Sequence, residues 1–283
     1  MKLERIDHPL ATQRVKGEGR LAVGLVEGRT RIRELYQQGA AKIRLPEKTT
    51  GPLEAVLINT AGGMTGGDRL DWTFSIGAGS AAVFTTQACE KIYRSSHGGA
   101  EVRTRISVGS GGRLAWLPQE TILYDRSVLD RRLDIDLDAD ATALIAEATL
   151  FGRRSMGETV VSSRYRDAWR VRRGGRLVHA EAIAFTGEVA AKLETAAVAG
   201  GATAMATVLL IAPDAEMHLD AVRRLIGAAG AASAWSVSRG NRGGTGKLLA
   251  RLLAQDGYQL RQRLVPILEL LNGRASLPKV WSL

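Results

Sequence analysis

A loose internal repeat constrains this chain more than any other feature. Ile76–Phe84 aligns with Val108–Trp116, Leu137–Ile145 and Val171–His179, the starts lying 32, 29 and 34 residues apart. Each copy is an alternating strand, a Gly or Asp turn, and a second apolar strand. The alternation is explicit in Leu21-Val23-Leu25, Leu70-Trp72-Phe74-Ile76, Val102-Thr104-Ile106-Val108 and Leu133-Ile135-Leu137. One apolar face at period two marks a half-buried strand. Units at such a spacing stack, because each buries against its neighbour a face it cannot bury alone. The expected fold is mainly β: a layered, β-helix-like stack of antiparallel and crossover strands, or a strongly layered sandwich.

The chain is long enough for that architecture to stand unaided. At 283 residues a compact chain buries roughly three quarters of its unfolded surface. With 45% hydrophobic and 24% charged residues it is not a disordered polypeptide. No linker divides it, so one domain over 1–283 is expected, β-rich from about 15 to 212 with a small helical portion from about 215 to 272. Met217–Ala232 places Leu219, Val222, Leu225, Ile226 and Ala229 on one helical stripe. Lys247–Leu271 is Leu-rich and reads as a second helical region, interrupted at Gly257 and Pro266. Thr195–Pro213 runs 19 residues without a charge, but Gly200-Gly201 at its centre favours a buried strand pair over a membrane span.

Several chemistries fail on residue count or spacing. Cys89 is the one cysteine, so no internal disulfide or Cys-x-x-Cys knuckle exists. Glu4 and Asp7 stand where a signal peptide needs an apolar run, and a reducing, cytoplasmic setting is expected. Gly243-Gly244-Thr245-Gly246-Lys247 suggests a phosphate loop, yet Asn241 holds the first glycine position and Leu248 the hydroxyl position. His8, His97, His179 and His218 are scattered, with no pair at ligand spacing. No Gly-x-Ser-x-Gly elbow is present. Asp134, Asp136 and Asp138 share one strand face and read as a solvated surface.

Charge points to partners. Lys and Arg exceed Asp and Glu by 39 to 29, a net +10, and Arg164, Arg166, Arg170, Arg172, Arg173 and Arg176 form a dense patch. A basic β-rich nucleic-acid-binding domain would use such a face, although few aromatics interleave with the arginines to stack bases. An acidic protein partner explains the charge equally well. A secreted β-helix polysaccharide enzyme is the other rival, and would need a leader.

Three polar runs follow apolar strands. They are Asn59–Leu70 with its four glycines, Thr85–Ser95, and Leu117–Ser127. Stacked copies would set Thr85, Thr86 and Gln87 beside Gln119, Glu120 and Thr121. A polar ladder on one rim of the stack is expected, and such rims commonly carry function.

These runs, with Gly152–Glu158 and the terminal Pro278-Lys279-Val280-Trp281, resemble the UreD (UreH) family of urease accessory proteins. Order and spacing match from about Arg20 to the C-terminus. The glycine run departs mildly, with Asn59-Thr60-Ala61-Gly62 where the family often has Asn-Pro-Gly-Gly. The resemblance implies a layered β fold and a non-enzymatic maturation factor. It also implies action with UreF and the GTPase UreG on urease apoprotein, so that nickel enters the enzyme. No tightly bound cofactor, nucleic acid or membrane belongs to that picture; nickel is only in transit. A guarded path of weak oxygen ligands is then expected from Asp68, Thr85, Thr86, Gln119, Glu120 and Glu147, although Asp68 and Glu120 would equally brace turns. Arg170 and Arg172 are the candidate partner contacts.

Overall fold

A computed structural model describes residues 14–47, 51–153, 156–237, 245–273 and 276–282. The first strands are β1 (Lys16–Val26), β2 (Arg29–Gly39), β3 (Ala41–Arg44), β4 (Leu53–Asn59), β5 (Arg69–Ile76) and β6 (Ala81–Thr86). There follow β7 (Glu90–Ile92), β8 (Ala100–Val108), β9 (Arg113–Trp116), β10 (Thr121–Leu123), β11 (Val128–Leu137) and β12 (Thr142–Phe151). The C-terminal half holds β13 (Ser162–Arg173), β14 (Arg176–Glu188), α1 (Val189–Glu194), β15 (Ala204–Ala212), α2 (Leu219–Ile226), β16 (Gly230–Val237), β17 (Thr245–Ala254) and α3 (Gly257–Leu271).

The strands form two facing sheets. One has seven strands in the order β14-β13-β11-β8-β5-β1-β2. The other runs β16-β17-β15-β12-β9-β6-β4-β3, with β10 and β7 added beside β12. Within each repeat the chain crosses from the first sheet to the second, so β5 to β6, β8 to β9 and β11 to β12 are arches. Glycines permit the corners: Gly79 and Gly111 have φ of +66° and +64°, a region other residues enter at a cost. Successive corners are stitched together by Gly109 N–H to the Ile76 carbonyl and Asp138 N–H to the Val108 carbonyl, at 2.8 and 2.9 Å.

The mainly β, stacked architecture is the expected one. Ile76 lies opposite Val108 and Val108 opposite Leu137, so the offsets of 32 and 29 residues are the pairing register itself. The fourth copy departs. Leu137 pairs with Arg173, two residues beyond the aligned Val171, and β13–β14 is an antiparallel hairpin within one sheet. Gly174 and Gly175, both at positive φ, fold the chain back before it can cross.

Two further expectations are corrected. Thr195–Pro213 is not a strand pair: the stretch turns tightly through Gly200 and Gly201 and then forms the single strand β15. Its Ala/Gly-rich first half has too little apolar surface to fill a strand. The helical portion is also smaller than expected. Met217–Ala232 helix stops at Ile226, where Gly227 takes a φ of +58° and ends it, and β16 begins at Gly230. Lys247–Ala254 belongs to β17, and helix starts only at Gly257, capped by the Asp256 side chain accepting from Gln259 N–H at 2.8 Å. Pro266 is carried inside α3 rather than breaking it. The failed phosphate-loop motif begins at Asn241, Gly243 and Gly244, outside the described residues, as do His8 and the leader positions.

Two cores result. Between the sheets, Phe74 stacks on Phe84 across the gap with centroids 4.2 Å apart, flanked by Trp72 and Trp116. On the outer face of the second sheet, Leu260, Leu264, Ile267, Leu268 and Leu271 of α3 cover Leu144, Val208, Leu210, Leu248 and Leu252. No described helix is long and apolar enough to cross a membrane.

Candidate functional site

The inner face of the stack is mostly apolar, and its densest polar group is centred on one side chain. Arg131 of β11 occupies the phase of Leu129, Leu133 and Ile135, and its side chain is almost wholly buried. Its five N–H donors meet five acceptors: both Asp167 oxygens (3.1 and 2.8 Å), Glu147 Oε2 (2.5 Å), Thr121 Oγ1 (2.9 Å) and Tyr165 Oη (3.0 Å). Trp116 Nε1 donates to the other Glu147 oxygen at 2.8 Å, and Thr149 bonds Tyr165 at 2.9 Å. Five stacked strands (β9 to β13) thus each contribute. Burial lowers the Arg131 pKa, but Asp167 and Glu147 more than offset it and hold the pKa well above the usual value. One cation faces two carboxyls. Burial raises the pKa of Glu147, Arg131 opposes that, and Asp167 adds to it, leaving it pushed up to about 7.

Beside this network lies a cavity of about 60 Å³ between the sheets. Its polar wall includes Thr86, Glu90, Gln119, Thr121, Arg131 and Glu147. Glu90, half-buried, has its pKa pushed up to about 7 by burial, against the hydrogen bond from Asn59. Three of the six expected path residues, Thr86, Gln119 and Glu147, therefore meet around one space. The stacking brought Thr86 and Gln119 together as anticipated: Gln119 N–H donates to Thr86 Oγ1 at 2.9 Å.

The other three lie elsewhere. Thr85 points the opposite way from its neighbour, into the helix-covered face, and is fully buried. Asp68 accepts Val15 N–H and Thr65 N–H, both at 2.8 Å, and so braces the glycine run against the start of β1. Glu120 is held by Arg261 of α3 at 2.6 and 2.8 Å, with the Cys89 thiol donating to it at 3.3 Å. Burial would raise the Glu120 pKa, but the Arg261 bonds and charge lower it overall. Burial and Glu120 push the Cys89 thiol up to about 11, leaving it unreactive. Arg261 also lies 5.3 Å from the Trp281 ring centre, and Trp281 Nε1 donates to the Leu117 carbonyl at 3.0 Å.

Arg170 and Arg172 are on the outer face of the first sheet. Arg170 lines a trough of about 420 Å³ with Arg103, Arg105, Arg132, Arg166, Asp130 and Asp134. Arg172 sits one pairing step along, 3.9 Å from Asp136. Asp134 and Asp136 share that face, as their alternation requires. Sequence reading passed over Arg131, Asp167, Glu90 and Arg261. For the first two a signal existed: each is a charge in the apolar phase of an otherwise regular strand. Arg261 had none, because its contact with Glu120 spans 141 residues.

Comparison with known proteins gives one consistent result. The family model described as UreD urease accessory protein matches residues 15–282. Urease accessory protein UreD 1 of Brucella melitensis is 55% identical over 274 residues, covering 97% of this chain and 96% of that protein. The urease accessory proteins UreD of Mesorhizobium japonicum and Rhizobium etli are each 55% identical, over 275 and 272 residues, with 97% and 96% of this chain and 96% of each relative covered.

Proposed function

The chain belongs to the UreD urease accessory protein family, which places it in urease maturation, and we propose that it is the scaffold that helps nickel into the urease active site. In this reading it works in the cytoplasm as one domain, catalyses nothing itself, and holds urease apoprotein together with UreF and the GTPase UreG. Nickel is cargo that ends on the enzyme, so no cofactor is tightly bound.

The cavity between the sheets carries the proposal. Nickel in water exchanges with any thiol or phosphate it meets, so delivery favours a shielded route. At about 60 Å³ the cavity has room for a few waters. An ion entering it would exchange waters of its shell for the oxygens of Thr86, Gln119 and Glu147. Neutral oxygens and a carboxylate already engaged by Arg131 hold weakly, and a transit ion must also leave. Of the other residues expected on the path, Asp68 and Glu120 brace neighbouring loops and Thr85 lies on the helix-covered face, all three outside this cavity. Arg170 and Arg172 are proposed contacts for an acidic surface in the complex. Nucleic acid is disfavoured by the absence of aromatic side chains at the outward positions of β5, β8, β11 and β13.

Glu147→Gln tests this without removing the side chain. The amide oxygen still accepts from Trp116, and Arg131 keeps Asp167. Cells producing urease with this variant should yield enzyme with several-fold less nickel and activity, while the accessory complex still forms. Normal nickel content in that urease would remove the path.

A further inference from the structure

Strand β2 ends the seven-stranded sheet and, among the described residues, pairs only with β1. Natural sheet edges are blunted by short strands, prolines, charged side chains or bulges. β2 is 11 residues long, has no proline, and turns only Thr30, Ile32, Leu35 and Gln37 to the inner side. The two ends of that row are tied down: Thr30 Oγ1 accepts Ala81 N–H at 2.9 Å and Gln37 Oε1 accepts Ile43 N–H at 2.8 Å. Among the described residues its middle is uncovered, because the opposing sheet stops at the four-residue β3. Ile32 and Leu35 are 45% and 41% exposed and Leu25 beside them 46%, whereas Leu21 and Val23 on the same face of β1 are 1% and 3%.

β2 carries two blunting devices, its charged side chains Arg29, Arg31, Arg33 and Glu34 and a bulge, where it skips from Glu34, opposite Ala22, to Ile32, opposite Val23. Counted as a single position, Arg33-Glu34 is the centre about which the strand matches its own reverse. Ile32 and Leu35 flank it on the inner face, Arg31 and Tyr36 on the outer, then Thr30 and Gln37 inner, and Arg29 and Gln38 outer. Neither Arg33 nor Glu34 has an ion-pair partner among the described residues.

We infer that β2 is a docking edge for a second copy of this chain, the two β2 strands pairing antiparallel about a two-fold axis at Arg33-Glu34. Arg33 then faces the partner's Glu34, Ile32 packs on the partner's Leu35, and Arg31 lies over the partner's Tyr36, with each relation repeated by symmetry. The exposed inner row becomes the middle of a continuous interior, and the open backbone edge is closed. A foreign strand would need only the edge and the apolar row. The matched order of charges, apolar residues and aromatic ring about one centre is what a self-pairing strand requires. The inference does not depend on the chain's role with urease.

Sedimentation velocity of the purified full chain over a hundredfold concentration range tests it. A reversible monomer–dimer equilibrium is expected. Arg33→Glu sets like charges face to face and should raise the dimer dissociation constant about tenfold. The double exchange Arg33→Glu with Glu34→Arg restores opposite charges and should recover most of that loss, which misfolding of the single variant would not allow. A chain that stays monomeric throughout, or a dimer indifferent to Arg33→Glu, would overturn the assignment.

Discussion

Glu90 shows how a single side chain ties the cavity to pH. Its pKa of about 7 in the folded chain compares with 4.5 for an ordinary carboxyl. Between those values the folded state keeps a proton that the unfolded state releases, so this group's contribution to stability falls as pH rises through the window and stays lost above it. Glu90→Gln keeps the bond from Asn59 and never ionises. Thermal unfolding followed from pH 5 to pH 8 should decline less steeply in the variant, which should also be the more stable at pH 8. Parallel curves for the two proteins would show that Glu90 titrates normally. Arg131 is the contrasting case: its charge is compensated from both sides and should not titrate in any accessible range.

Among the elements, α3 and the terminal turn at Trp281 act on the rim loop Leu117–Glu120 that separates β9 from β10. Arg261→Ala would strand the Glu120 carboxylate, which is only 2% exposed, without its cation. Such losses cost about 3 kcal/mol or more, readable as a lower urea midpoint at unchanged slope. Adding Glu120→Gln in that background removes the unpaired charge and should return part of the stability. If it returns none, the ion pair is not what binds helix to loop. The elements also explain which secondary structure was legible. β5, β8 and β11 bury one face and expose the other, so period two is plain in their residues. β17 buries Leu248, Ala250 and Leu252 in the second core, while Leu249 and Leu253 on its other face are half-buried beside Lys247 and Arg251. Leucines on both sides blur the period of two, and they passed for helix.

At the scale of the whole molecule, parallel stacking turns one sheet face into rows of like-placed charges. Arg105, Asp134 and Arg170 are in register across three strands, as are Ser107, Asp136 and Arg172. The interleaved signs suit the surface of another protein, where position matters, better than a uniform phosphate backbone. Arg170→Glu with Arg172→Glu should weaken capture of this chain by the proposed accessory complex and flatten the dependence of capture on salt. Retention unchanged across a salt series would place the partner surface elsewhere. The same architecture ends the seven-stranded sheet in an antiparallel hairpin at each side, β13–β14 at one and β1–β2 at the other.

The sequence alone determined the stacking and its register, because in parallel pairing the spacing between copies is the register, and a face that must be buried repeats at that spacing. It also carried the family resemblance, since runs such as Thr85–Ser95 and Leu117–Ser127 are local and ordered. Tertiary structure alone decided which polar residues meet. Thr86, Gln119 and Glu147 converge, while Thr85 and Asp68 turn away, because neighbours on a strand point to opposite faces and a carboxylate goes to whichever donors the fold brings near. Arg131 and Arg261 found their partners the same way, across gaps in the chain that no local pattern spans.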